Sequence, residues 1–246
     1  MHLARPKLVP TADLDREAMD RVQRTVAEAV IAADDGVPEA IDDDVTVAGV
    51  DQAFTEQAVV SAAVALRVGE SVDRAVVHRP IVLPYVPGYL AFREAAAVVD
   101  AVTALSDPPA VLFVDGNGLL HPRAAGLATH VGVILDRPTV GVAKSLLCGA
   151  LDGPEPPYDV GTRVPIVATE EMTLPTGSIV GYAVQTRQWD APDRHINPVY
   201  VSPGHRISPE TAADHVLATV AGRKLPEPIR LADRAADAAA HGRSDR

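Results

Sequence analysis

Met19, Val22, Val26 and Val30 recur at steps of three and four between Asp, Arg and Glu, which predicts an amphipathic helix over 13–33. Thr11 or Asp13 is its expected cap. The acidic run DDGVPEAIDDD that follows has no apolar period and reads as a solvated connector. Beyond it the period shortens. VTVAGVDQAF (45–54), QAVVSAAVAL (57–66) and RAVVHRPIVL (74–83) are short β-branched runs separated by polar turns, the pattern of an antiparallel meander. From about Gly88, Leu90, Glu94, Val98, Val102 and Leu105 step helically until SDPP ends the run.

AVLFVDG (110–116) is apolar without alternation, as in a strand buried on both faces. A helix is expected over 124–136 and a strand over 139–145. The Pro-rich LDGPEPPYDVGTRVP reads as an insert or linker, and SIVGYAVQTR and PVYVSPG as two later strands joined by a polar loop. SPETAADHVLATVAG, capped by Ser208, is the last strong helix, and residues 236–246 are expected to be a disordered tail. The order predicts one α/β domain over 1–246: an N-terminal helix and connector to 44, then a core over 45–235. In that core an antiparallel meander continues into parallel strands, with helices on both faces of the mixed sheet.

Composition narrows the function. One cysteine, Cys148, excludes an internal disulfide and any CxxC site. No apolar run approaches the ~20 residues of a membrane span, and a cytoplasmic protein is expected. The net charge of −11 argues against phosphate binding at low salt. Yet lysine occurs only at 7, 144 and 224, and 22 aspartates face 11 glutamates. That balance suits a halophilic protein, in which salt screens repulsion to ~3 Å at 1 M and local arginines suffice.

Three acids hold special positions. Asp51 follows the apolar run 45–50, Glu94 lies in the first turns of the helix after the meander, and Asp115 closes the run VLFVD. If the two strands are neighbours and the helix crosses them, the carboxylates converge, and three hard oxygen donors suit Mg²⁺ or Mn²⁺ better than zinc. Each also fits a structural role, as a turn former or as an acid near a helix start. Lys144 ends an apolar strand, where its charge fits a contact to a scissile phosphate. His121 and His205 read locally as loop histidines. In PYVPG, two prolines bracket Tyr85 and Val86: either a core tyrosine under a turn, or a stiff wedge against stacked bases.

Taken together, VAGVD (47–51), PYVPGYLAFRE (84–94), the block 111–149, VSPGHRIS (201–208) and LPEPIRLAD (225–233) resemble the endonuclease V family. The resemblance implies an RNase H-like fold and a nuclease of deoxyinosine repair. Such an enzyme hydrolyses the second phosphodiester 3′ to the lesion and leaves 3′-hydroxyl and 5′-phosphate ends. It implies that Asp51, Glu94 and Asp115 bind Mg²⁺, that His205 stands at the edge of that centre, and that His121 and Lys144 act near the phosphate. Tyr85 falls in the family's wedge, and an extruded hypoxanthine is expected to meet backbone around Gly88, Leu90, Gly116, Gly126 and Leu127. Asn117 stands where some members have His, and Tyr89 adds a second aromatic after the wedge.

The expected partner is deoxyinosine-containing DNA, bound by a monomer. Inosine-containing RNA is the alternative, since no 2′-hydroxyl contact is legible. A catalytically dead RNase H-like module would have lost a carboxylate, and all three are present. No glycine-rich nucleotide loop supports a small-molecule phosphate enzyme.

Overall fold

The structure is a computed structural model that describes residues 2–189 and 195–242. After a single 3₁₀ turn at Pro6–Leu8, α1 (Arg16–Ala29) precedes a meander of β1 (Val47–Phe54), β2 (Ala58–Arg67) and β3 (Glu70–Pro80). Then come α2 (Leu90–Thr103), β4 (Val111–Asp115), α3 (Leu127–Leu135) and β5 (Thr139–Ala143). The chain continues through β6 (Ala150–Leu151), β7 (Arg163–Val167), β8 (Ile179–Val184) and β9 (Val199–His205), and ends in α4 (Pro209–Ala218) and α5 (Glu227–His241).

Among the described residues nine strands form one sheet in the order β3-β2-β1-β4-β5-β9-β8-β7-β6. The meander β1-β2-β3 is antiparallel, β1, β4 and β5 run parallel, and β9 turns the sheet antiparallel again. This is the expected RNase H-like mixed sheet with helices on both faces. Alternation along the strands sorts the core. Val47, Phe113, Val140 and Val142 face α4 and α5, whereas Ala48, Val50, Leu112 and Val114 face α2 and α3.

Several elements depart from the sequence reading. α1 is capped by Asp15, whose carboxylate accepts from the Ala18 amide at 2.7 Å, and neither Thr11 nor Asp13 performs that role. The Pro-rich linker contains the end of β6 and the start of β7, in which Pro165 disguises a strand. Part of the expected polar loop, residues 190–194, lies outside the described residues.

The larger surprise is α5, which replaces α4 as the last helix and carries the chain helically to His241, into the segment expected to be disordered. Residues 243–246 of that segment lie outside the described residues. Its buried face is Ile229, Ala232, Ala235 and Ala236, a helical stripe made mostly of alanine. Small residues bring the helix very close to β1: a Cβ at Gly49 would lie 2.1 Å from the Pro228 carbonyl. Gly49→Ala is therefore expected to lever α5 off the sheet and cost about 2 kcal/mol or more in urea unfolding. An unchanged unfolding midpoint would contradict this packing.

Candidate active site

The strand register assembles the centre. Val50 lies opposite Val114 in the parallel β1–β4 pair, so the next residues, Asp51 and Asp115, stand side by side at the carboxyl ends of the two strands. Period-two alternation puts both on the α5 face, together with Lys144, two residues beyond Val142 on β5. Lys144 Nζ donates to Asp115 Oδ2 at 2.7 Å. Glu94 reaches the strand tips from α2, on the other face, and is buried.

Burial, and then the charge of Asp115, push the Asp51 carboxyl up to about 9. Burial likewise raises Glu94 to about 7; Arg93 opposes the shift and Asp115 adds to it. Burial disfavours the Lys144 ammonium, but Asp115, Asp51 and Asp233 outweigh it and hold its pKa above the ordinary value. Three buried or half-buried carboxylates, two of them repelled by Asp115 and all hard oxygen donors, are chemically suited to a divalent cation such as Mg²⁺. In the present arrangement they are not drawn into one shell: among the described residues no three acidic, histidine or cysteine side chains are gathered closely enough to hold an ion.

Asp233 joins this field from α5, raising Asp51 and Lys144 alike. It was missed because α5 itself was missed. One turn after buried Ile229, it is carried beside the sheet face that bears the aspartates.

Beside the centre lies a cavity of about 310 Å³. One wall is Tyr85, Pro87, Gly88 and Leu90; Asn117, His121, Gly126 and Leu127 line the other. Tyr85 is 61% exposed, which excludes a core tyrosine. Val86 to Tyr89 make a tight turn, with Pro87 second, Gly88 third at φ +80, and the Tyr89 amide donating to Val86 O at 3.0 Å. That is a type II turn, whose third position favours glycine. Gly116 stands behind the cavity against Leu127. Gly126 and Leu127 begin α3, where the first amides lack helical partners.

His121 belongs to this cavity. Its Nδ1 accepts from the Arg123 amide at 3.1 Å, so Nε2 carries the proton and donates to Gly88 O at 3.2 Å. Burial lowers its pKa to about 4, keeping the ring neutral.

His205 is not brought to the centre. It pairs with Thr139 at the start of β5, whereas Asp115 pairs with Val142, three residues (~10 Å) further along. There it is fully buried; Nδ1 accepts from the Ile31 amide at 3.2 Å, and Nε2 meets Asp136 Oδ1 at 3.0 Å. The expected placement at the edge of the metal centre is therefore corrected to a tie between the segment after α1 and the turn before β5.

A phosphodiester-cleaving nuclease is the class that this fold and acidic centre define. The family model described as Endonuclease V matches residues 25–234. A relative from Halobacterium salinarum named Endonuclease V is 50% identical over 95% of this chain and 98% of its own length. The endonuclease V structure from Streptomyces avermitilis superposes with TM-score 0.78 at 34% identity, over 94% of this chain and 96% of that one. That of Ciona intestinalis, solved with a 24mer DNA containing an inosine followed by a ribo-adenosine, gives 0.70 at 27% identity over 89% and 94%. The chain belongs to the endonuclease V family and is an endonuclease.

His205→Asn is expected to lower the melting temperature while the folded fraction keeps its turnover. Loss of turnover in fully folded protein would return His205 to the centre.

Proposed function

We propose that this endonuclease repairs DNA by recognising deoxyinosine and hydrolysing the second phosphodiester bond 3′ to it, leaving 3′-hydroxyl and 5′-phosphate ends. It acts as a cytoplasmic monomer, with the whole chain as one domain. The observation that carries this reading is the strand register that sets Asp51 beside Asp115, next in sequence to elements lining a cavity at Gly88, Leu90, Asn117, Gly126 and Leu127.

In this reading Asp51, Glu94 and Asp115 hold Mg²⁺, for which Mn²⁺ substitutes, and Asp233 adds negative charge alongside. When bound, the ion supplies an acidified water and charge compensation at the leaving oxygen. Lys144 keeps Asp115 oriented through its 2.7 Å contact and offers its ammonium to the scissile phosphate. Tyr85, exposed on its proline-bracketed turn, fills the gap left in the base stack. The extruded base enters the cavity, with Gly116 backing Leu127. Hypoxanthine presents a carbonyl and an N–H where adenine presents an amine and a bare nitrogen. Backbone groups lining the cavity then discriminate by hydrogen bonding, apart from the Gly88 carbonyl and the Gly126 and Ala128 amides, which already have partners.

The acidic, lysine-poor surface fits work in concentrated salt, and relatives of halophilic origin support that. Cleavage of inosine-containing RNA is the second reading. It is favoured by the ribo-adenosine that follows the inosine in the DNA bound to the Ciona relative.

Mapping the cut on matched oligonucleotides bearing one deoxyinosine or one inosine, with Mg²⁺ at low and multimolar KCl, tests the proposal. A nick one nucleotide beyond the deoxyinosine is expected; cutting of the RNA alone would replace the DNA reading. Asp51→Asn and Asp115→Asn should each lose about a hundredfold or more in rate, and full activity in either would remove the metal assignment. Tyr85→Ala should slow duplex cleavage more than single-strand cleavage, and equal slowing would remove the wedge role.

A further inference from the structure

Helix α1 buries only two residues, Val26 and Gln23, and Gln23 is completely buried. A buried amide is costly unless both ends are bonded, and both are. Gln23 Nε2 donates to Gly88 O at 2.6 Å, and Gln23 Oε1 accepts from Arg123 Nη1 at 2.8 Å. A carbonyl on one side and a guanidinium on the other fix which way the amide points. Gly88 O is thus held by two donors, Gln23 from α1 and His121 from the loop after β4. The His121 contact joins the opposite walls of the cavity, and the Gln23 contact ties the turn to α1.

The surroundings reinforce the tie. Tyr89, next in the turn, donates its hydroxyl to Asp20 Oδ1 of α1 at 2.6 Å, and Arg123 lies over the Tyr89 ring at 5.1 Å while pairing with Asp20 at 3.4 Å. Gln23 and Asp20 both precede residue 25, where the family match begins.

We infer that Gln23 is a positioning residue for lesion recognition: through the Gly88 carbonyl, α1 sets the turn that carries Tyr85 and fixes the width of the base cavity. The inference rests on the proposed reading of that cavity as the hypoxanthine site.

The test compares wild type, Gln23→Glu and Tyr89→Phe on a deoxyinosine duplex with Mg²⁺, reading KM and kcat separately beside the melting temperature. Glutamate keeps the shape and the Arg123 contact but presents an oxygen to the Gly88 carbonyl. Expected for Gln23→Glu is a KM increase of about tenfold, with kcat changing far less and melting within a few degrees of wild type. Tyr89→Phe, which removes only one hydroxyl, should shift KM the same way by less, and it decides the matter alone if Gln23→Glu does not fold. Wild-type KM in folded Gln23→Glu, or in Tyr89→Phe when that variant stands alone, overturns the inference. A wild-type protein that does not cut the duplex would instead overturn the proposed function, so the two failures are distinct.

Discussion

Two aspartates stand side by side at the end of a buried sheet because the parallel register of β1 and β4 leaves them no other place. At the ~4.8 Å spacing of neighbouring strands, two unit charges repel by about 3 kcal/mol at an effective dielectric of 20. Burial adds to that, and Asp51 is driven far above the ordinary carboxylate range. A fold tolerates this only if something relieves it. Lys144 does so in part, by pairing with Asp115. The remaining demand is for a proton or a cation, and that demand makes this end of the sheet a reactive place.

The rest of the molecule serves the geometry around that pair. α5 lies against β1 closely enough that Gly49 can carry no side chain, and the same approach carries Asp233 to the aspartates. On the other face α2 supplies Glu94 near its start, and the turn before α2 forms one wall of the cavity. Centre and cavity therefore share α2 and the loop after β4. At the far end of β5, His205, Asp136 and Arg206 tie the chain after α1 to the core.

Much of this was legible in the sequence, for definite reasons. Strands 45–54 and 110–116 announced themselves through β-branched runs ending in Asp51 and Asp115, and the helical step through Leu90, Glu94 and Val98 placed the third acid. The prolines on both sides of Tyr85 left a core tyrosine or a stiff exposed turn, and the exposure of Tyr85 decides for the latter. What stayed hidden depends on distance in space. α5 buries mostly alanine and was passed over after the helix at Ser208, and Asp233 went unnoticed with it. Pro165 concealed β7, and a buried glutamine on a polar helix has no local mark at all. His205 misled because its motif matches the family block, while the β5–β9 register carries it to the opposite end of the sheet.

If Asp51, Glu94 and Asp115 serve as one cation centre, as proposed, their charges are uncompensated without the ion. Carboxyls raised by burial and repulsion hold protons in the folded protein that the unfolded chain has released, so stability without metal falls as pH rises from about 4 towards 9. A cation must displace those protons. Calorimetric titration of Mg²⁺ into the wild-type protein at neutral pH, in buffers of different ionisation heat, measures this directly. The expected result is Mg²⁺ binding with proton release, tightening as pH rises and lost in Asp51→Asn. Binding without proton release, or binding undiminished in Asp51→Asn, would contradict it.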